Sequence, residues 1–181
     1  LSDRHYRSGE PWAARDFDRI RNSTGDEDVV PGYVEVNFNH VCNLKCSYCS
    51  PQFSSTWADE VARLGAYPTL VPHNAPEHFV GDRRPIPVRE HNPYVEAFWQ
   101  WWPSLKNDLH TLRITGGEPL LNPDAMRVLD VLEDDPAPHL EININSNLGV
   151  SEDRVERVIA RIKSLLAQKK IRGIKIYTSI D

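Results

Sequence analysis

All three cysteines of this 181-residue chain lie in one short stretch, VCNLKCSYCSPQ, at positions 41–52. Cys42, Cys46 and Cys49 follow the spacing C-x3-C-x2-C, and the sequence holds no fourth cysteine. Thiolates are soft ligands that suit iron–sulfur clusters, zinc and copper(I). A structural zinc ion takes four protein ligands, and so does a four-iron cluster held entirely by cysteine. Three thiolates on a four-iron cluster would instead leave one iron open to a small molecule.

Two alternatives to an open cluster remain. His40 could supply the fourth ligand of a zinc site, or the three cysteines could be unrelated buried side chains. An odd number of clustered cysteines, behind a polar N-terminus with no apolar signal segment, favours reduced thiols over disulfides. We therefore predict a cytoplasmic protein with a metal site on this loop.

Composition sets the class of protein and narrows its partners. With 40% hydrophobic and 26% charged residues, the chain is typical of a globular domain. Its net charge is −5 and it has no long run of Lys or Arg, so neither nucleic acid nor an anionic membrane is expected as a partner. No apolar segment approaches the roughly 18–20 residues of a membrane span. The chain begins without Met and ends on a strand-like segment, so we expect a piece of a longer protein, cut after its fourth strand.

The segments around the cysteine loop alternate between strands and helices. Alternation of apolar and polar residues predicts four strands, at 33–40, 111–115, 139–147 and 171–181. Helical patterns with Ser, Thr or Asn caps lie between them, at 54–65, 92–103, 122–134 and 151–170, and Pro103 is expected to end the second helix. Strands separated by helices predict a parallel α/β sheet with right-handed crossovers, in which the cysteine loop directly follows the first strand.

The strands are polar on one side, which is unusual for a parallel sheet. Ile142 and Ile144 alternate with Asn143 and Asn145 in the third strand, whereas strands buried on both faces read as continuous apolar runs. A closed eight-stranded barrel would fill its interior with branched apolar side chains. We therefore predict an open, partial (β/α) barrel around a polar lumen. Residues 1–30 are predicted to form an N-terminal extension and 31–181 the core, with a long Pro-rich and helical insertion at 66–110.

On these residues the chain resembles the radical S-adenosylmethionine (SAM) enzymes. CNLKCSYC resembles the C-x3-C-x-aromatic-C loop of that family, and TGGEPLL, at 115–121, resembles its Gly-Gly-Glu-Pro motif. NSNLG at 145–149 and TSID at 178–181 resemble two further strand-end segments. The four motifs occur in the family's order, and the resemblance covers about residues 33–181. Their variants are most similar to enzymes with a C-terminal SPASM or twitch domain.

The resemblance implies a set of cofactor contacts. Cys42, Cys46 and Cys49 would hold a 4Fe–4S cluster whose open iron binds SAM. Tyr48 would lie against the adenine of SAM. The Gly116 and Gly117 carbonyls, with Glu118, would bind its ammonium group, and Pro119 would stiffen that turn. Ser146 and Ser179 would contact the methionyl or ribose group, with Asn147 and Asp181 as neighbours. Strict alternation places Ser146 on the helix-facing side of its strand and Ser179 on the polar side.

The resemblance also implies the reaction. Reductive cleavage of SAM would give a 5′-deoxyadenosyl radical, which abstracts hydrogen from a substrate in the polar lumen. The substrate is an unidentified peptide, protein or small molecule, and an electron donor such as flavodoxin or ferredoxin would be a partner. The alternative is a non-catalytic module in which zinc or an iron–sulfur cluster serves structure or electron transfer.

Overall fold

The computed structural model describes residues 3–71, 75–79 and 85–179. Asp181, predicted as a neighbour of SAM, lies outside the described residues, as does Ile180. In the described parts of the chain the α-helices are α1 (Asp3–Arg7), α2 (Pro11–Arg21), α3 (Ser55–Leu64), α4 (Pro93–Asp108), α5 (Pro123–Asp134) and α6 (Glu152–Ala167). The strands are β1 (Tyr33–Asn37), β2 (Thr111–Thr115), β3 (Ala137–Ser146) and β4 (Ile171–Thr178). Among the described residues, short 3-10 turns cover Pro76–Phe79 and Pro119–Leu121.

The four strands form one parallel sheet in the order β1-β2-β3-β4. Helices α3 and α4 lie between β1 and β2 in the chain, α5 between β2 and β3, and α6 between β3 and β4. This repeated strand–helix–strand order confirms the predicted α/β class. It also brings the carboxyl ends of all four strands to one edge of the sheet.

One face of the sheet is the hydrophobic core, as the alternation predicted. Leu112 and Ile114 of β2 and Ile142 and Ile144 of β3 are fully buried. They belong to one cluster with apolar side chains from α4, α5 and α6, of which Leu105, Leu129 and Leu165 are examples. Burying one such side chain stabilises the fold by roughly 1.5–3 kcal/mol, so this face holds the helices on the sheet.

The opposite face of the sheet is polar. The strand register aligns Glu35, Arg113, Asn143 and Lys175 in one row across all four strands. Neighbouring members of such a row lie about 5 Å apart. The row therefore forms a band of charge and amide groups on the face that the helices α4, α5 and α6 leave uncovered.

The predicted end of α4 at Pro103 is wrong, because the helix continues through this proline to Asp108. Proline inside a helix removes one backbone hydrogen bond and costs about 3 kcal/mol. Trp102 is only 3% exposed and Leu105 is fully buried, whereas Pro103 faces solvent. Core packing of the residues on either side offsets the loss, so tertiary contacts override the local signal. Phe98 and Trp102 pack in the core.

The N-terminal extension contains helices that its polar sequence did not indicate. None of the α2 side chains is buried, yet the Trp12 ring stacks on Tyr33 of β1 with the ring centroids 4.9 Å apart. Arg19 donates a 2.9 Å hydrogen bond to the carbonyl of Val30. The extension therefore lies against the start of the sheet. No helix of the described segments is both long enough and apolar enough to cross a membrane.

Candidate functional site

The predicted site segments meet at the carboxyl edge of the sheet. The cysteine loop follows β1, the Gly116–Gly117 turn follows β2, Ser146 ends β3 with Asn147 directly after it, and Ser179 follows β4. The Ser179 N–H donates a 3.1 Å hydrogen bond to the Ser146 carbonyl, which continues the β3–β4 pairing to the edge. This edge is where parallel α/β folds bind ligands.

The backbone of the cysteine loop is held by the start of α3. The Ser54 hydroxyl donates to the Leu44 carbonyl at 2.8 Å, and the indole N–H of Trp57 donates to the Cys46 carbonyl at 3.0 Å. The Ser55 hydroxyl oxygen accepts the Cys42 N–H at 3.1 Å. The sequence suggests these residues only as helix caps and a helix face, but they also fix the loop. The signal was present as a Ser-Ser-Thr-Trp run directly behind the loop.

The three cysteines form no disulfide, and each is partly exposed. A tight turn brings the last two together, because the Cys49 N–H donates to the Cys46 carbonyl at 2.9 Å. Burial raises the pKa of the Cys49 thiol, and the nearby Cys42 and Cys46 raise it further by charge repulsion, while a hydrogen bond to Ser50 opposes them. A cationic metal centre would offset this repulsion between the thiolates, so the three cysteines are chemically suited to hold such a group. In the described ranges, however, no three His, Cys, Asp or Glu side chains are arranged closely enough to hold a metal ion as they stand.

The two glycines of the GGEP motif let the turn after β2 lie against the cysteine loop. Gly116 has a φ of +109°, and a Cβ there would lie 2.7 Å from Cγ of Asn37 and 2.9 Å from the Asn39 carbonyl oxygen. At Gly117 a Cβ would lie 2.5 Å from the carbonyl carbon of Val41. The Glu118 N–H donates to the Val41 carbonyl at 2.6 Å. The glycines are therefore required by contact with the chain's own loop, since any side chain would collide with its backbone.

The Glu118 carboxylate is buried and fully engaged by the protein. It is only 1% exposed, and its Oε1 accepts the Leu120 N–H at 2.8 Å and the Ser146 hydroxyl at 2.7 Å. Its Oε2 accepts the Asn147 N–H at 2.7 Å. Three donors offset the cost of burying the charge. The carboxylate thus ties the turn after β2 to the end of β3.

Asn147 connects the end of β3 to the cysteine loop. Its side-chain N–H groups point at the Cys42 sulfur, at 3.8 Å, and at Oδ1 of Asn43, at 3.3 Å. Its own Oδ1 accepts the Gly149 N–H at 2.6 Å, and Asn43 donates back to the Gly149 carbonyl. A donor near a cysteine sulfur stabilises negative charge on that sulfur.

The remaining predicted residues occupy different environments. Tyr48 projects from the cysteine loop and is 68% exposed, and Pro119 is buried as the first residue of the 3-10 turn. His40, the fourth ligand of the zinc alternative, lines a 570 Å³ cavity that also contacts Asp59 of α3. Burial lowers the pKa of His40, with Asp59 opposing, so its ring favours the neutral form.

No protein-family model, curated protein or solved structure matches this chain. Any family assignment therefore depends on the four motifs and on how they are placed. The motifs at Cys42–Cys49, Gly116–Pro119 and Ser146–Asn147 are joined by direct hydrogen bonds at one edge of the sheet. Such an edge can present three sulfur ligands beside backbone and amide hydrogen-bonding groups.

Proposed function

We propose that the chain is the core of a radical SAM enzyme. The observation that carries the proposal is the packing of the three-thiol loop against the GGEP turn and Asn147 at the carboxyl edge of a parallel sheet. When bound at Cys42, Cys46 and Cys49, a 4Fe–4S cluster would supply the electron that cleaves SAM to a 5′-deoxyadenosyl radical. The chain's own residues would hold the cluster, place SAM and the substrate, and limit access of water.

The residues around Cys42 fit a cluster ligand. The Leu44 N–H points at the Cys42 sulfur at 3.5 Å, and Asn147 approaches the same sulfur at 3.8 Å. Hydrogen bonds of this kind tune the electron affinity of iron–sulfur clusters. Zinc would need a fourth protein ligand, and His40 faces α3 instead, so the local contacts favour a cluster over a closed zinc site.

The contacts proposed for SAM divide into two kinds. Tyr48 is 68% exposed on the cysteine loop, and an aromatic ring at that position suits stacking on an adenine. The buried Glu118 already has three donors from the chain, which favours a positioning role over direct contact with the SAM ammonium. Ser146 shares that role, since its hydroxyl is bonded to Glu118. The Gly116 and Gly117 carbonyls would then bind the ammonium, and Ser179 the methionyl or ribose group.

The polar face of the sheet is the proposed substrate side, in an open partial barrel of the radical SAM type. The substrate would be a peptide, a protein or a small molecule whose hydrogen is abstracted next to the strand ends. A flavodoxin or ferredoxin would supply electrons, and a SPASM or twitch domain would carry further clusters.

The proposal is tested by anaerobic reconstitution with iron and sulfide, followed by SAM and dithionite. The full-length protein is expected to turn brown and to form 5′-deoxyadenosine. The Cys42→Ala, Cys46→Ala and Cys49→Ala variants should form none, and Ser104→Ala, on the exposed face of α4, should match the unmodified protein. Absence of 5′-deoxyadenosine from a protein with an assembled cluster would overturn the proposal. A colourless protein with bound zinc would instead establish the non-catalytic alternative.

A further inference from the structure

An 870 Å³ cavity lies between α2 and the polar face of the sheet. Trp12 and Arg15 of α2 form one side, and Glu35, Arg113, Asn143 and Lys175 line the other. These four belong to the row that crosses all four strands. The N-terminal extension and the sheet therefore form the cavity together, away from the carboxyl ends of the strands.

Asn143 lines this cavity and carries a buried, unsatisfied acceptor. The residue is only 6% exposed, and its Oδ1 is one of two buried side-chain polar atoms without a partner in the described chain. The other, Nε1 of Trp102, belongs to the hydrophobic core. The unpaired atom is the amide oxygen, which can only accept a hydrogen bond. A buried acceptor without a donor costs about 1–3 kcal/mol, and a ligand N–H or O–H would remove that cost once the amide turns its oxygen toward the cavity.

The cavity also carries an excess of positive charge. Five of its lining side chains are Arg or Lys and three are Glu, within a chain whose net charge is −5. Glu141 accepts from Lys175 at 2.8 Å and lies 3.5 Å from Arg172, so one carboxylate serves two cations. The surplus charge favours an anionic ligand.

Of the three cations that the sheet contributes to the cavity, Arg113 lies farthest from a carboxylate. Its Nε donates to Oδ1 of Asn145 at 3.0 Å, and its guanidinium lies 5.4 Å from the centroid of the Tyr177 ring. The nearest carboxylate oxygen, on Glu35, is 3.8 Å from its Nη1, which is long for a hydrogen-bonded pair. The guanidinium is thus held in orientation, with capacity left for a second, closer carboxylate.

We propose that this cavity binds an α-hydroxy or α-amino acid, with its carboxylate on Arg113 and its adjacent O–H or N–H on Oδ1 of Asn143. The two side chains are direct neighbours in the β2–β3 register, about 5 Å apart, so groups on adjacent carbons of one small molecule reach both. As a binding site it stands without the cysteine loop. The further step, that the bound acid is the enzyme's substrate, rests on the proposed function. Asn143 lies three residues, about 10 Å, before the carboxyl end of β3 at Ser146, so the acid would bind close to the candidate site.

The probes are DL-malate, L-aspartate and succinate, titrated into the protein by calorimetry without cluster or SAM. Malate and succinate differ only in the α-hydroxyl, so malate should bind more tightly. Arg113→Gln should weaken the affinity for malate about tenfold or more, because it removes a charge-assisted pair, and Arg113→Lys should recover part of that affinity. Asn143→Leu should remove the preference for malate over succinate. Arg157→Gln, an exposed change on α6, should leave binding unchanged.

Three results would overturn the proposal. They are no saturable binding of malate or aspartate, equal binding of malate and succinate, and equal effects of Arg113→Gln and Arg157→Gln in variants that keep the far-ultraviolet spectrum of the unmodified protein. None of them bears on the radical chemistry, which the formation of 5′-deoxyadenosine tests separately. Conversely, acid binding by a protein that forms no 5′-deoxyadenosine would support the site and count against the proposed function.

Discussion

The hydroxyl of Ser146 donates a 2.7 Å hydrogen bond to Oε1 of Glu118, and so joins the ends of β3 and β2. The two residues are 28 positions apart, and both are at least 98% buried. Ser146, on the helix-facing side of β3, and Glu118 of the GGEP motif therefore hold each other in position. Their geometry makes them a support for the turn that packs on the cysteine loop.

Glu118→Gln should lower the free energy of unfolding by about 1–3 kcal/mol, the cost of leaving a buried polar group without its partner. The new amide can accept from Leu120 and Ser146 through its oxygen, but its NH2 group then faces the Asn147 N–H, another donor. Urea unfolding measures the change. Glu156→Gln, an exposed change on α6, is the matched control and should be close to neutral. Equal stability of the two variants would show that the Glu118 network contributes nothing.

Gly117→Ala should reduce iron incorporation during anaerobic reconstitution. The added Cβ collides with the Val41 backbone, so either the turn or the start of the cysteine loop must move. Gly9→Ala is the control, because its nearest neighbour would be the Tyr6 carbonyl at an ordinary 3.7 Å. The ratio of iron to protein decides the matter, and a Gly117→Ala protein that loads iron normally would contradict this account of the glycine.

Ser54→Ala should destabilise the protein by about 1 kcal/mol or more and loosen the cysteine loop. Ser54 is fully buried, caps α3 by accepting the Trp57 N–H, and donates to the Leu44 carbonyl. Ser151 is also an N-cap residue, but its side chain makes no capping bond, so Ser151→Ala should cost much less. Thermal unfolding and hydrogen exchange of residues 42–49 measure the two effects. Identical behaviour of the two variants would remove Ser54 from the support of the loop.

If the proposed cluster binds, Asn147→Leu should make its reduction potential more negative. The substitution removes an N–H that points at the Cys42 sulfur, and such donors stabilise the reduced, more negative state. Redox titration followed by electron paramagnetic resonance gives the potential. Asn107→Leu, on the exposed face of α4, serves as the control, and an unchanged potential in Asn147→Leu would show that this contact does not tune the cluster.

Acid should weaken the fold partly through Glu141. Burial raises the pKa of this carboxyl, but the hydrogen bond from Lys175 and the charges of Lys175 and Arg172 outweigh it, so the net shift is below the ordinary 4.5. A lowered pKa means stability that is present above pH 4.5 and is lost as the pH falls through the folded-state value. Glu141→Gln should therefore flatten the acid limb of stability against pH. Urea unfolding between pH 3 and 7 tests this, and parallel curves for the two proteins would exclude the contribution.

The two faces of the sheet could be predicted from sequence because strand alternation has a fixed period of two. The helix-facing side of Ser146 followed from the same rule, and the residue is indeed buried beside Ile142 and Ile144. The partners of Glu118 could not be predicted, because they depend on how the turn after β2 meets the end of β3. That meeting is set by register and packing, which no local pattern encodes.

At two places the helices differ from what the sequence indicated, for related reasons. Pro103 is a strong local stop signal, but Trp102 and Leu105 pack in the core and keep α4 intact. Helix α2 has a polar sequence with no buried side chain, so its pattern is weak, and its visible anchors are the contacts of Trp12 and Arg19. In both places long-range contacts decided what short-range preference left open or opposed.

The support of the cysteine loop has a consequence for simpler mimics of it. A synthetic peptide of residues 41–52 would keep the three thiols and their spacing. It would lack the hydroxyl and indole donors of α3, the seat formed by Gly117, and the amide of Asn147, which comes from 105 positions away. Such a peptide must order its own backbone around the metal, at a cost of about 1–2 kcal/mol for each residue fixed. The folded chain has ordered this backbone before any metal arrives, and only the thiols must still close on the metal, so it should outcompete the peptide for a limiting supply of iron and sulfide.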